Sequence, residues 1–514
     1  MRYLYGLAIL GCLVLWSSCR NDFETVASTG NLEFSKDTVY LDTVFTNIGS
    51  STYNLKVYNR SNEDIHIPTV RLGQGENSNY RLNVDGIPGK VFENVQVLAK
   101  DSIFIFVETT FDINNLPTNP NNFLYTDQIL FDTGGNQQKV ELVTLVKDAV
   151  FLYPAQLSDG TVETLTLGEG DDAFEIEGFF LDDTELTFTN EKPYVIYGYA
   201  AVAANKTLTV EAGARVHFHN SSGILVAENG TMKVMGLPSN DPEAMENEVI
   251  FEGDRLEPSF ADIPGQWGTI WFTSGSVDNE FNYATIKNSV VGILLEDSPL
   301  TLRNVQIYNN ANVGLLARTG DVDGENIVIN NSGQTSLSIQ LGVSYEFRHS
   351  TFANYWTNGF RSFPAVSLDN TLEITEDNEI IILVADLVKA NFTNCIIYGN
   401  ERREFALNQN TDAAFNFKFE NCLLRFEDPT GEFGNIPLYD FSNSVLYPAT
   451  KLNLDPVFQD TAMNNFNIEA GTSGAENIGI FLTNPPSILK DLNGVNRSDP
   501  SDAGAYETTI FPEG

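Results

Sequence analysis

The sequence predicts an all-β protein in which an antiparallel β-sandwich precedes a solenoid of stacked coils. Three observations carry that expectation. A short phrase recurs between Phe281 and Leu424: Phe281-Asn282-Tyr283-Ala284-Thr285-Ile286, Leu302-Arg303-Asn304-Val305-Gln306-Ile307, Phe347-Arg348-His349-Ser350-Thr351-Phe352, Phe392-Thr393-Asn394-Cys395-Ile396-Ile397 and Phe419-Glu420-Asn421-Cys422-Leu423-Leu424. Taking Tyr283, Asn304, Asn326, His349, Asn394 and Asn421 as equivalent, the steps are 21, 22, 23, 45 and 27 residues, with the 45 reading as two coils. A period near 22 built from short alternating strands marks coils that bury their apolar faces by stacking. Second, residues 31–146 divide into seven short strands between turn clusters such as Asn47-Ile48-Gly49-Ser50, the pattern of a sandwich. Third, 11% aromatic and 19% charged residues with 39 glycines suit a turn-rich β protein.

At the N-terminus, Arg2 precedes an apolar run from Leu4 to Trp16 and then Ser17-Ser18-Cys19. The run is too short for a transmembrane helix and has the shape of an export signal. Small residues before a cysteine resemble the lipobox of bacterial lipoproteins, with Trp16 where leucine is usual. The resemblance implies cleavage before Cys19 and lipidation of Cys19, so that lipid is the only membrane tether. Asp22 and Glu24 resemble the surface-export signal of Bacteroidota lipoproteins, and Asp37-Thr38-Val39, Asp42-Thr43-Val44, Asp101-Ser102-Ile103 and Asp460-Thr461-Ala462 resemble their O-glycosylation sequon. With the leader removed and Cys19 lipidated, Cys395 and Cys422 remain at one repeat position. Adjacent coils would place them about 4.8 Å apart, and parallel side-chain vectors favour two core thiols over a disulfide.

Strands are expected at Thr38–Leu41, Tyr53–Tyr58, Ile65–Leu72, Tyr80–Val84, Ile103–Thr110, Gln128–Phe131 and Lys139–Leu145. The phrase Leu55-Lys56-Val57-Tyr58-Asn59-Arg60-Ser61-Asn62, followed by Ile65-His66-Ile67, resembles immunoglobulin-like domains of the abnormal-spindle/major-sperm-protein type, which implies a spacer or protein-binding module. Further on, Tyr194–Gly198, Leu208–Phe218, Gly223–Gly230, Val249–Phe251 and Trp267–Phe272 lead into the repeats. Their order resembles right-handed parallel β-helix proteins of the pectate-lyase-like superfamily. Inward positions would be Ile224, Val226, Ile270, Phe272, Ile293 and Leu295, and Asn304 and Asn326 could form a hydrogen-bonded ladder. Asp502-Ala503-Gly504-Ala505-Tyr506-Glu507 resembles the terminal phrase of many such proteins and implies a cap over the last coil's open edges. The expected plan is therefore a lipoprotein signal peptide at 1–19, a linker at 20–30, an immunoglobulin-like sandwich at 31–146, an acidic connector and solenoid cap at 147–193, a right-handed parallel β-helix at 194–450 and a C-terminal cap segment at 451–514.

The net charge of −40, from 29 basic and 69 acidic side chains, excludes nucleic acid as a partner and disfavours polyanionic glycans. Asp171, Asp172, Glu175, Glu177, Asp182, Asp183 and Glu185 could hold calcium, as could Asp321-Val322-Asp323-Gly324-Glu325. Neither spacing matches a defined calcium loop, so no metal site is assigned. The superfamily's enzymes imply a Lys or Arg base beside calcium-binding carboxylates, or clustered Asp residues. Arg303 and Arg348 share a repeat position and would point outward, Lys287, Arg318 and Arg361 are scattered, and Asp297, Asp321 and Asp369 share no position, so no catalytic set is assigned. His217, His219 and Arg215 would lie together on an outer face. Alternation also turns Trp267 and Trp271 outward, and Tyr355 and Trp356 sit at or after a turn near Phe360 and Phe363. Exposed aromatics at Trp267, Trp271, Tyr355 and Trp356 would contact a protein partner or a sugar ring, unless the insertion at Phe360–Lys389 folds over them. The expected function is a non-catalytic, surface-exposed outer-membrane lipoprotein that binds or scaffolds outer-membrane or surface proteins, or a glycan. A β-helix polysaccharide lyase or hydrolase is the alternative.

Overall fold

The computed structural model describes residues 25–112, 122–132, 134–168, 170, 173–241, 244–376 and 379–512. Cys19, Asp22, Glu24, Asp171 and Asp172 lie outside the described residues. Every regular element among those described is a β-strand or a short 3-10 turn, so the protein is all-β. The chain divides into two units, Met1–Asp148 and Ala149–Gly514.

In the first unit, one sheet contains Thr38–Phe45, Ile65–Leu72, Val91–Val97, Asn122–Phe131 and Gln138–Lys147, with Val26–Ala27 at its edge. A second contains Tyr53–Tyr58, Tyr80–Val84, Ile87–Gly89 and Ser102–Thr109, edged by Glu33–Phe34. Alternation decides which side chains meet between them. On Ser102–Thr109, Ile103, Ile105 and Val107 are buried while Phe104 and Phe106 face outward. Leu55, Val57, Ile67, Val70, Ile129, Val140 and Leu142 complete a core drawn from both sheets. The strand Val91–Val97 gives no clear sequence signal, because Asn94 takes a left-handed conformation (φ 53°) and breaks the alternation.

The second unit is built from parallel strands that pair with the equivalent strand one turn of chain later. They form three faces. On the first face, Tyr194, Val216, Phe251, Ile286, Ile307, Ile329, Phe352, Ile397 and Leu424 follow one another in register. The second aligns Ala200, Ile224, Ile270, Ile293, Leu315, Leu337, Val366 and Phe405. The third aligns Val210, Val234, Phe281, Leu302, Gly324, Phe347, Phe392 and Phe419. These rows point inward and stack like on like; Phe392 and Phe419, for example, have ring centroids 4.9 Å apart. Ile224, Val226, Ile270, Phe272, Ile293 and Leu295 are all fully buried, as alternation requires.

The repeat marker has a backbone cause. Tyr283, Asn304, Asn326, His349, Asn394 and Asn421 all have positive φ, between 44° and 56°. Each turns the chain from the third face to the first, and asparagine tolerates that left-handed geometry best among residues with a side chain. The side chains also bond up the stack: Asn326 Nδ2 donates to Asn304 Oδ1 at 2.9 Å, and Asn394 Nδ2 meets His349 Nε2 at 2.8 Å.

One coil count changes. Phe352 pairs directly with Ile397, and Arg348 with Thr393. The 45-residue step is therefore one coil, enlarged by a loop and by the antiparallel hairpin of Thr371–Glu376 with Glu379–Val384. The C-terminal region also divides its work. Phe426, Tyr439, Phe441 and Tyr447 pack on Phe405, Phe417 and Phe419 at the last coil, and Phe433 packs on Phe426 and Tyr439. The tail beyond them lies across the outer side of the first face. Ile468, Ala475 and Ala503 cover Ile396, Tyr398 and Leu423, while Phe466, Ala505 and Tyr506 cover Val328 and Ala353. Asn326, Asn394 and Asn421 donate to tail carbonyls of Lys490, Ile480 and Ile478. Cys395 and Cys422 are free, buried thiols.

Candidate functional site

The outer side of the second face carries the row Ala201, Leu225, Trp271, Leu294, Leu316. Over its first coils folds the hairpin of Thr164–Leu167 with Phe174–Phe180, whose end joins the stack beside Tyr199–Ala201. Leu165 packs with Ala201 and Leu225, sealing that end. Beyond it the hairpin stands as a wall, and an open cavity of about 1170 Å³ lies between the wall and the face. Leu165, Leu167, Phe174 and Phe180 line one side, and Trp271, Leu294, Glu296 and Arg318 line the other. Phe174 and Phe180 are both exposed.

Trp271 is fixed by its polar edge. Its indole Nε1 donates to Glu296 Oε2 at 2.8 Å, while Arg318 Nη1 donates to Glu296 Oε1 at 3.1 Å. Arg318 Nε reaches Gln340 Oε1 at 3.3 Å. The groove thus combines a held aromatic ring, an apolar strip and a neutralised ion pair, a combination suited to contact with a ligand that has both apolar and hydroxyl surface.

The four aromatic residues expected at a contact surface separate. Trp271 lines the groove. Trp267 does not point outward: it is fully buried, stacked on Phe218 at 4.2 Å, with Nε1 donating to Lys287 O at 2.8 Å. Strand alternation begins only at Ile270, so counting back through Gly268 and Thr269 assigns Trp267 to the wrong side. Tyr355 is half-buried against Phe458 and Phe466 under the tail, and burial pushes its phenol well above the ordinary range. Trp356 is half-buried, its carbonyl accepting from Asn400 Nδ2 at 3.3 Å. Neither lines the groove.

The basic residues are paired. Arg303 bonds Asp323 and Glu325, each at 2.9 Å, and Arg348 bonds Asp323 at 2.6 Å. Asp321, Asp323 and Glu325 lie at the third-face end of the strand Val313–Glu325, which runs on from the second face, and Asp323 and Glu325 are the partners of Arg303. Arg361 forms a buried two-pronged pair with Glu404, at 2.8 and 3.0 Å. In the acidic connector, Asp182 accepts from Thr184, Glu175 accepts from Thr166 and Asp183 pairs with Lys206. Among the described residues, no three His, Cys, Asp or Glu side chains are placed to hold a metal ion.

One group escapes a reading of the sequence. His217, Glu252, Lys287, Tyr308 and Asn330 occupy one outer column of the first face. His217 Nδ1 lies 3.7 Å from Glu252 Oε1, and Lys287 Nζ lies 2.7 Å from Glu252 Oε2. Burial would raise the Glu252 carboxyl, but His217 and Lys287 together hold it below its ordinary value. Burial would lower the Lys287 ammonium, and Glu252 outweighs it. Burial pushes the Tyr308 phenol up. His217 lies on the outer side, as expected, but is almost wholly covered, whereas His219, just past the strand Arg215–Phe218, is half-exposed, bonded to Asp254 at 2.8 Å and stacked on Tyr197. From His217 to Tyr308, successive members of the column are 35, 35 and 21 residues apart, because the first two coils carry insertions. Such uneven spacing hides the column from any search for a fixed period.

No protein-family model and no curated protein matches the chain. Solved structures give faint likenesses. The catalytic domain of a GH87 alpha-1,3-glucanase in complex with tetrasaccharides is 10% identical over 72% of this chain and 82% of that one, with a TM-score of 0.18. A GH87 alpha-1,3-glucanase from Streptomyces thermodiastaticus is 11% identical over 72% and 79%, at 0.15. A family 123 glycoside hydrolase from Clostridium perfringens is 8% identical over 23% of this chain and 26% of that one, at 0.16. At such scores the likeness carries no argument about fold or activity.

Proposed function

We propose that this chain is a Bacteroidota-type outer-membrane lipoprotein, anchored through Cys19 and displayed at the cell surface, whose coil stack is a rigid platform for binding. In this reading the first unit is an immunoglobulin-like spacer and the second a right-handed parallel β-helix. The platform serves as a subunit of a larger outer-membrane assembly. The observation that supports binding is the groove of the second face, where Trp271 is held by Glu296 between an apolar strip and a protruding wall. The rigid stack suits recognition because little ordering is required when a partner docks. Affinity purification of the tagged protein from detergent-solubilised membranes tests the reading. Stoichiometric recovery with an outer-membrane barrel, lost in Trp271→Ala, is expected; recovery alone would overturn it.

A second reading, cleavage of a polysaccharide by lyase or hydrolase chemistry, is favoured by the column of His217, Glu252, Lys287 and Tyr308, which gathers acid and base groups in one place. Product release from a polysaccharide panel, abolished by Tyr308→Phe with the fold intact, would support it.

A further inference from the structure

The hairpin of Thr371–Glu376 and Glu379–Val384 forms a two-stranded sheet of its own, and among the described residues neither strand is laddered to a third. A ribbon of two strands is marginal in water unless something covers it. This one leaves unusually much apolar surface bare: Ile380 is 71% and Ile382 54% exposed, and Ile374, Leu383 and Val384 are exposed as well. Soluble proteins blunt such edges with lysine, proline or a bulge. None interrupts Ile380-Ile381-Ile382-Leu383-Val384. The outer edge of Glu379–Val384 therefore presents backbone groups outside the hairpin's own ladder, among side chains that are mostly β-branched, the template onto which an extended strand adds.

Charge selects the occupant. Between Arg361 and Lys389 the sequence has no lysine or arginine, whereas Glu373, Glu379 and Asp386 belong to the ribbon and its base. The two flanking cations are consumed elsewhere, Arg361 by Glu404 and Lys389 by Glu346 at 3.0 Å. The ribbon is apolar in its strand and acidic around it. A second copy of a chain with net charge −40 is repelled from it, and the field attracts basic segments.

We propose that the free edge of Glu379–Val384 is a docking site for an extended apolar strand with basic flanks, contributed by a different protein. The site is distinct from the groove of the second face and does not depend on it.

The test uses the full chain and a fluorescein-labelled peptide of six alternating valines and threonines flanked by lysine pairs, followed by anisotropy. Binding is expected, weakened at least about tenfold, or 1.4 kcal/mol, in Ile382→Pro, which interrupts the strand. The same loss is expected for a peptide flanked by glutamate pairs and for one whose alternate amides are methylated. Should Ile382→Pro disturb the fold by circular dichroism, the charge-reversed pair Glu373→Lys and Glu379→Lys, which keeps the apolar strand, takes its place and is expected to weaken the lysine-flanked peptide about fivefold or more. No binding by the parent chain, equal binding by Ile382→Pro or by the glutamate-flanked peptide would overturn the proposal. So would self-association or vesicle flotation that Ile382→Pro abolishes, since either would assign the edge to a second copy or to lipid. Trp271→Ala is expected to bind the peptide unchanged, which separates this site from the groove.

Discussion

Replacing Arg361 with methionine removes one half of an ion pair that sits almost entirely out of water. The side chains of Arg361 and Glu404 are 2% and 0% exposed. Besides the two bonds to Glu404, the guanidinium donates to the carbonyls of Asn354 and Phe363 and to Asn400 Oδ1. Glu404 also accepts from the backbone N–H groups of Glu401 and Ala365. Methionine keeps much of the volume, so the loss is electrostatic, and stranding a buried carboxylate costs about 3–5 kcal/mol. Burial already raises the Glu404 carboxyl above its ordinary value of 4.5, against the pull of Arg361. A raised carboxyl contributes stability that is present below the unfolded value and lost as pH rises through the folded one. Without Arg361 the rise is larger, so the deficit of Arg361→Met is expected to be greatest at neutral pH and to shrink toward pH 4.5. Urea unfolding of parent, both single variants and the double variant Arg361→Met with Glu404→Gln measures it. The double variant is expected to recover about 2 kcal/mol or more relative to the sum of the singles. A deficit under about 1 kcal/mol, independent of pH, would refute the reasoning.

Trp267→Ala removes a fully buried ring and should cost about 3–5 kcal/mol in urea unfolding, whereas Trp271→Ala should cost no more than about 1 kcal/mol. Asn326→Ala loses bonds to Asn304, Lys490 and the buried Arg497 and places alanine at φ 52°; about 3 kcal/mol of destabilisation is expected, with limited proteolysis cutting residues 456–507 before the coils. The hydrogen bond that His219 donates to Asp254 raises the imidazole above 6.5, so its stabilising contribution is complete below that pH and declines as pH rises through the higher folded value. An NMR titration should give a midpoint above 6.5 that falls in Asp254→Asn. In a form beginning at Arg20, Cys395 and Cys422 should ignore a thiol reagent while folded and titrate as two thiols in denaturant.

Much of the fold is legible because its rules are local. Left-handed turns select asparagine, hence the beat at Asn304, Asn326, Asn394 and Asn421. Strand alternation correctly turns Ile224, Ile270 and Ile293 inward, since side-chain direction follows from the backbone alone. Both rules lapse where the chain leaves a strand. At Gly268 the alternation fails, and Trp267 is assigned to the surface although the core holds it.

The sequence by itself determined an all-β chain with a basic coil of roughly 22 residues, because the coils from Tyr283 to Asn421 repeat the same left-handed turn and the same inward positions. The tertiary structure decided what each insertion does. It placed 45 residues in a single coil, laid the C-terminal tail along a face and gathered His217, Glu252, Lys287 and Tyr308 into one column. It also stood the 164–180 hairpin beside Trp271, making a groove from residues distant in the chain. Periodicity reports contacts one coil away; where loops of unequal length fold back is set by packing against surfaces that exist only once the coils have stacked.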